Sequence, residues 1–156
     1  MKKIVFLIFV CVILTACQSN ANVNNTVQIS DIEDIFSENL SSDIGYCDVS
    51  IYYRDNYFSD IINIEECKIY TSNDSTNFDE FGIFRFADEN SARKARGMIK
   101  QYLNDSRNEF ENGIIYNIQE YPKFQNADVK LYGKYLIYTI LSPEKTEKIY
   151  TEIKSM

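Results

Sequence analysis

Phe81-Gly82-Ile83-Phe84-Arg85-Phe86 is aromatic or apolar on both of its alternating sides. A strand with one wet face alternates apolar with polar, so a run that is apolar on both faces belongs in the middle of a sheet. Just upstream, Cys67 and Ile69 alternate with Lys68 and Tyr70, and Ser72-Asn73-Asp74-Ser75 carries turn residues. The two runs read as one hairpin. Downstream, Asp88 is an N-cap for a helix whose stripe is Ala92, Ala95, Ile99, Tyr102 and Leu103. Arg93, Lys94, Arg96, Lys100 and Gln101 take the wet side, and the small Ala92 and Ala95 allow close approach to a sheet.

The same grammar recurs further on. Gly113 interrupts the helix, and Ile114, Ile115, Ile118 and Tyr121 form a weaker stripe that stops near Pro122. Val129 and Leu131, then Gly133-Lys134, then Tyr135 to Leu141 read as a second hairpin with glycine supplying the turn. Ser142-Pro143-Glu144 joins a capping hydroxyl, a proline at the first helical position and an acid in the first turn. Thr146, Ile149, Tyr150 and Ile153 line the inner face of that last helix. The order β-β-α-β-β-α predicts an α+β fold. Two ββα units would build an antiparallel sheet of about four strands, with the helices on one face.

Before the sheet, Ser30-Asp31-Ile32-Glu33 reads as a capping box. Ile32, Ile35, Phe36 and Leu40 follow at helical spacing, predicting a short N-terminal helix that ends at Asp43 to Gly45. In the segment from Tyr46 to Ile64, Val49, Ile51 and Tyr53 alternate like a strand. Tyr57, Phe58, Ile61 and Ile62 repeat like a helical turn.

The first residues are an address. Met1-Lys2-Lys3 is a basic start, Ile4 to Leu14 is an apolar run too short to span a bilayer, and Leu14-Thr15-Ala16-Cys17 has the form of a lipobox. An ordinary signal peptide would place small residues at both −1 and −3 of the cut, and Leu14 breaks that pattern. The expected division is a signal peptide over 1–16, a lipidated Cys17 with a flexible tether over 17–30, and one globular domain over 31–156. Two acyl chains on Cys17 hold stably where one holds marginally. The expected location is the cell membrane, with the domain on its extracytoplasmic side.

Removing 1–16 takes Lys2 and Lys3 and moves the formal net charge from −7 to −9. A domain this acidic lacks the basic face that nucleic acid requires, and its attachment to an anionic leaflet comes from the lipid. The chain contains no His and no Trp. That removes the Ser-His-Asp triad, the Cys-His pair and the ordinary zinc and haem sites. No cofactor is expected. Of the four cysteines, Cys47 and Cys67 stay with the folded part. A disulfide between them is chemically allowed outside the cell, whereas a thiol at Cys67 also suits a buried strand position.

Three groups could carry chemistry. Asn73 to Glu80 is rich in oxygen donors but lacks the glycine and distal acid of a calcium loop, so a solvated turn explains it better. Asp79 and Glu80, with Glu65 and Glu66, flank the first hairpin and could pair as acid and base. No sequence signal isolates one of them in an apolar pocket. Among twelve Tyr and ten Phe, most fall on inner faces, but Tyr46, Tyr52, Tyr53 and Tyr57 crowd the segment of least clear structure and form a candidate binding patch.

Glu80-Phe81-Gly82-Ile83-Phe84-Arg85 leading into the Asp88 to Leu103 helix resembles a strand and helix of a Gram-positive lipoprotein family, domain of unknown function 4358. Tyr121-Pro122, Ala127, Val129, Gly133 and Tyr135 are similar to its closing hairpin, although the Tyr-Pro step departs from the family's Tyr-Asn-Pro form. The resemblance covers about 31–153. It implies a one-membrane cell and an extracytoplasmic domain, and it transfers no catalytic or binding residue. The expectation is a lipid-anchored, non-enzymatic module that binds an envelope protein or wall polymer. The alternative is a hydrolase of wall substrates working through carboxylates.

Overall fold

The computed structural model describes residues 27–40, 45–113 and 117–156. The signal segment, the lipobox with Cys17, most of the expected tether, Asp43, Ile114 and Ile115 lie outside the described residues. In chain order come α1 (Ile29–Asn39), β1 (Tyr46–Asp48), α2 (Ser50–Asn56), β2 (Ile64–Ser72), β3 (Glu80–Phe86) and α3 (Glu89–Glu111). A 3-10 turn at Ile118–Glu120 leads into α4 (Tyr121–Gln125), β4 (Asp128–Tyr132), β5 (Tyr135–Ile140) and α5 (Pro143–Lys154). The sheet is antiparallel throughout, in the order β1-β2-β3-β5-β4. β3 is the middle strand, as its two-sided apolar pattern predicts.

The α+β class, the antiparallel sheet, the two ββα units and the N-terminal helix are as expected. Two details differ. The sheet has five strands rather than about four, because Tyr46–Asp48 adds an edge strand against β2. The helices do not gather on one face. Phe81 and Ile83 of β3, with Tyr135 and Ile137 of β5, pack against Ile32 and Phe36 of α1 and Ile149 and Ile153 of α5. Phe84, Phe86, Leu136 and Tyr138 point the other way and pack with Ala92, Ala95, Ile99 and Leu103 of α3. A central strand apolar on both sides needs cover on both, since leaving one face wet would forfeit about 25 cal/mol per Å² of apolar surface.

Caps set the helix ends. Asp88 Oδ1 accepts from the Ser91 N–H at 2.8 Å to start α3, and the Ser142 side chain accepts from the Lys145 N–H to start α5. At α1 the start moves to Gln28, whose N–H donates to Asp31 Oδ2 at 2.7 Å, so Ser30 is already helical. Val27 and Ile29 are buried, which makes 27–30 part of the domain rather than the tether. The segment after β1 also reverses its reading. Asp48 Oδ1 accepts from the Ser50 N–H at 2.9 Å, and the helix lies over 50–56 where alternation suggested a strand. Gly133, at φ 58°, closes the two-residue turn between β4 and β5.

Cys47 and Cys67 are free thiols. Register explains why. Cys47 lies opposite Thr71, four residues along β2 from Cys67, a distance of about 13 Å at strand rise, whereas a disulfide needs Cα atoms within roughly 7 Å. Cys47 is exposed, and its Sγ contacts Asn73 Oδ1. Among the described residues, no helix is long and apolar enough to cross a membrane.

Candidate functional site

Asp79 and Glu80 enter β3 as neighbours, and the pleat sends them to opposite sides of the sheet. Glu80 points toward α3 and is buried at 8% exposure. Three phenols surround its carboxyl: Tyr53 from α2 donates to Oε2 at 2.9 Å, and Tyr102 from α3 and Tyr138 from β5 each donate to Oε1 at 2.7 Å. One carboxyl therefore joins four elements. Burial pushes its pKa above the ordinary carboxylate range, and the hydroxyls of Tyr102, Tyr138 and Tyr53 pull it down without overcoming that effect. In return, Tyr102 and Tyr138 are held well above the ordinary phenol range, by burial first and by the Glu80 charge second.

Asp79 turns the other way, at 1% exposure. Lys123 Nζ lies 2.5 Å from its Oδ1, Lys145 Nζ lies 3.1 Å from its Oδ2, and the Tyr46 hydroxyl donates to Oδ2 at 3.0 Å. Burial raises this carboxyl, but Lys123 and then Lys145 outweigh it and hold the pKa below the ordinary range. Adjacent residues thus sit in opposed electrostatic states. The sequence names the pair; the apolar enclosure around Glu80 arises from tertiary packing.

Gly82 follows on the Glu80 side and lies opposite Tyr138. A Cβ there would stand 2.1 Å from Tyr138 Cε1, so only glycine lets that ring lie across β3 to reach Glu80.

The β2–β3 turn completes the surroundings. Asp74 Oδ1 accepts from the Thr76 N–H and hydroxyl, both at 2.8 Å, and the Phe78 N–H donates to Glu120 Oε2 at 2.8 Å. Asn77 Oδ1 accepts from the Asp79 N–H at 2.9 Å and from Lys123 Nζ at 2.7 Å. These oxygens are used to shape the loop. Among the described residues, no group of three or more Cys, Asp or Glu side chains is placed to hold a metal ion. Glu65 and Glu66 pair with Arg85 near the far end of the hairpin, at 3.5 and 3.1 Å. They share no site with Asp79 and Glu80.

Between α2, this turn and α3 lies a cleft of about 730 Å³, within the range of small-ligand sites. Tyr53, Tyr57 and Tyr102 make an aromatic wall, with ring centroids 5.0 Å apart for Tyr53 and Tyr57 and 5.5 Å for Tyr57 and Tyr102. The tyrosine patch read from sequence divides here. Tyr53 and Tyr57 line the cleft, Tyr52 is exposed beside them with its ring 6.2 Å from Tyr57, and Tyr46 faces Asp79 and Phe81 on the other side of the sheet. Tyr102, Tyr138, Lys123 and Lys145 escaped sequence reasoning. For Tyr102, the available signal was a hydroxyl in an apolar stripe, which must find a polar partner when buried.

The sequence model of a family described as Domain of unknown function (DUF4358) matches residues 55–141, more than half of the chain and less than the 31–153 expected. The matched span holds Asp79, Glu80, Tyr102, Lys123 and Tyr138 but neither Tyr53 nor Lys145. No curated protein and no solved structure matches the chain.

Proposed function

The chain belongs to the DUF4358 family, and on that premise we propose that it is a non-catalytic binding module, anchored by lipid at Cys17 outside the cell membrane, with the cleft beside Glu80 as its ligand site. The observation that carries this reading is the cleft: Tyr53 and Tyr102, both held by the buried Glu80 carboxyl, form one wall with Tyr57, whose ring packs against theirs at the end of α2. Rigid aromatic area ending in polar tips suits recognition of sugars or peptides of the envelope. The lipid anchor rests on the Leu14 to Cys17 motif.

Hydrolysis is the second reading, because neighbouring carboxyls with opposed pKa shifts are a recurrent sign of acid–base pairs. Geometry favours binding. Glu80 is engaged by three phenols and Asp79 by two lysines and a phenol, so both carboxyls are committed to the protein's own groups.

Titration of the full-length protein in detergent with soluble wall sugars and wall peptides tests the binding reading. At least one class should raise the melting temperature, and Tyr57→Ala should remove the effect. No shift across the panel, together with no partner recovered by cross-linking in cells, refutes it. Turnover of any member, lost in Glu80→Gln, would establish the hydrolase instead. For the anchor, Cys17→Ala should abolish palmitate labelling; unchanged labelling rules the anchor out.

A further inference from the structure

Resting on that binding reading, we infer that the cleft takes an organic cation: an ammonium group carried on an aliphatic stem. The cavity supplies the space and the aromatic wall, and its charges supply the sign. Among the described residues lining it there is no Lys or Arg, while six are acids. Two of these are internally engaged: Asp79 is neutralised by Lys123 and Lys145, and Glu80 is enclosed by phenols. Lys123 is itself committed to Asp79, Asn77 and Glu120.

The remaining four, Asp60, Asp74, Asp105 and Glu109, are exposed at the rim; Asp74 Oδ1 accepts from Thr76 and Asp105 Oδ1 from Gln101, but none of the four has its charge met by a salt bridge among the described residues. They come from three separate segments, the turn after α2, the β2–β3 turn and α3, and they converge on one concavity. Charges of one sign around a concave surface focus the field and raise the local concentration of counter-ions. Burial, then Tyr52, then the negative charge of Glu109 push the Tyr57 hydroxyl above the ordinary range.

Tyrosine faces attract a cation within about 6 Å of the ring centroid. Tyr57 is half exposed and tilted against both Tyr53 and Tyr102, so the wall offers π surface beside the carboxylates. Met98 and Ile61, also lining the cleft, provide apolar contact for a stem. A sugar lacking an amine gains from the wall but nothing from the four acids. An anion would be repelled. An amine on a short alkyl chain satisfies both, whether it is a free diamine or a lysine side chain of a peptide.

Calorimetry on the full-length protein in detergent at low salt tests this with 1,5-diaminopentane, the peptide Ala-Lys-Ala, its Nε-acetylated form and 1,5-pentanediol. Both amines should bind, and the acetylated peptide and the diol should not. Asp105→Asn combined with Glu109→Gln should weaken the amines about tenfold, and so should salt raised to about 0.5 M. These two acids are exposed and bear no fold-holding ion pair, so the variant tests charge rather than stability. Tighter binding of the peptide than of the diamine points to a peptide source, and the reverse to a free amine. Equal affinity for the diol, or undiminished binding in the double variant, overturns the cation assignment. If the amines fail while neutral wall fragments bind in a Tyr57-dependent way, the cation assignment falls and the binding reading stands. Silence from amines and wall fragments alike removes both.

Discussion

Glu80 is held by phenols and Asp79 by lysines, so the two carboxyls make stability respond to pH in opposite directions. Burial raises Glu80 above its unfolded value of about 4.3, so the native state binds more protons there. Its contribution is fully present below that pH and is lost as pH rises toward the folded pKa. Asp79 is held low by its lysines against the effect of burial. Its contribution is present above about pH 3.9 and is lost as pH falls through the folded pKa. In urea unfolding, Glu80→Gln should therefore lose less stability than the wild type between pH 4.5 and pH 7 (roughly the range above the unfolded glutamate pKa). An identical loss in both would remove Glu80 as a source of the pH response. The acids are legible in sequence as a pair, but their separation is not. Opposite pleat faces follow from strand alternation, whereas the partners come from residues 22 to 66 positions away.

One short element, α2, carries part of the site, and it was the hardest to read. Val49, Ile51 and Tyr53 alternate like a strand, yet α2 covers 50–56 and leaves Ile51 and Tyr52 exposed. The decisive residues are polar. Asp48 Oδ1 accepts from the Ser50 N–H where the helix begins, and Ser50 Oγ accepts from the Ile69 N–H at 2.8 Å, tying α2 to β2. Ser50→Ala leaves that buried amide without its acceptor and should cost about 1–3 kcal/mol. Hydrogen exchange at Ile69 should accelerate more than at amides of β5, and equal protection in wild type and variant would dismiss this tie. The longer helices were plain by contrast, because Asp88 and Ser142 are strong start signals and the stripes behind them run for several turns. Small helices offer too few periods for a stripe to outweigh an accidental alternation.

At the scale of the molecule, one sheet is buried from both sides, and α1 is part of that cover rather than an appendage. Val27 and Ile29 are buried with it, the Tyr135 hydroxyl donates to the Val27 carbonyl at 2.5 Å, and Asn39 Nδ2 donates to Glu152 Oε2 of α5 at 2.8 Å. A chain beginning at Asp31 should be less stable than one beginning at Val27 by about 3 kcal/mol, the worth of two aliphatic side chains taken from the core. Equal urea midpoints would place the domain boundary back at residue 31. Local chemistry accounts for much of the architecture. Alternation marked β2 and β4, continuous apolar runs marked β3 and β5, caps and stripes marked α3 and α5, and Gly133 marked the closing turn, because each signal lies within a few residues of what it specifies. The two-sided apolarity of Phe81 to Phe86 placed that strand in the centre, and the same property required helices on both faces. Three things depended on the folded arrangement: which helix takes which face, that Cys47 and Cys67 stay apart, and that Tyr53, Tyr102 and Tyr138 meet on Glu80. Each depends on register and packing between distant segments, and a one-residue change of register would turn every side chain of a strand to the opposite face.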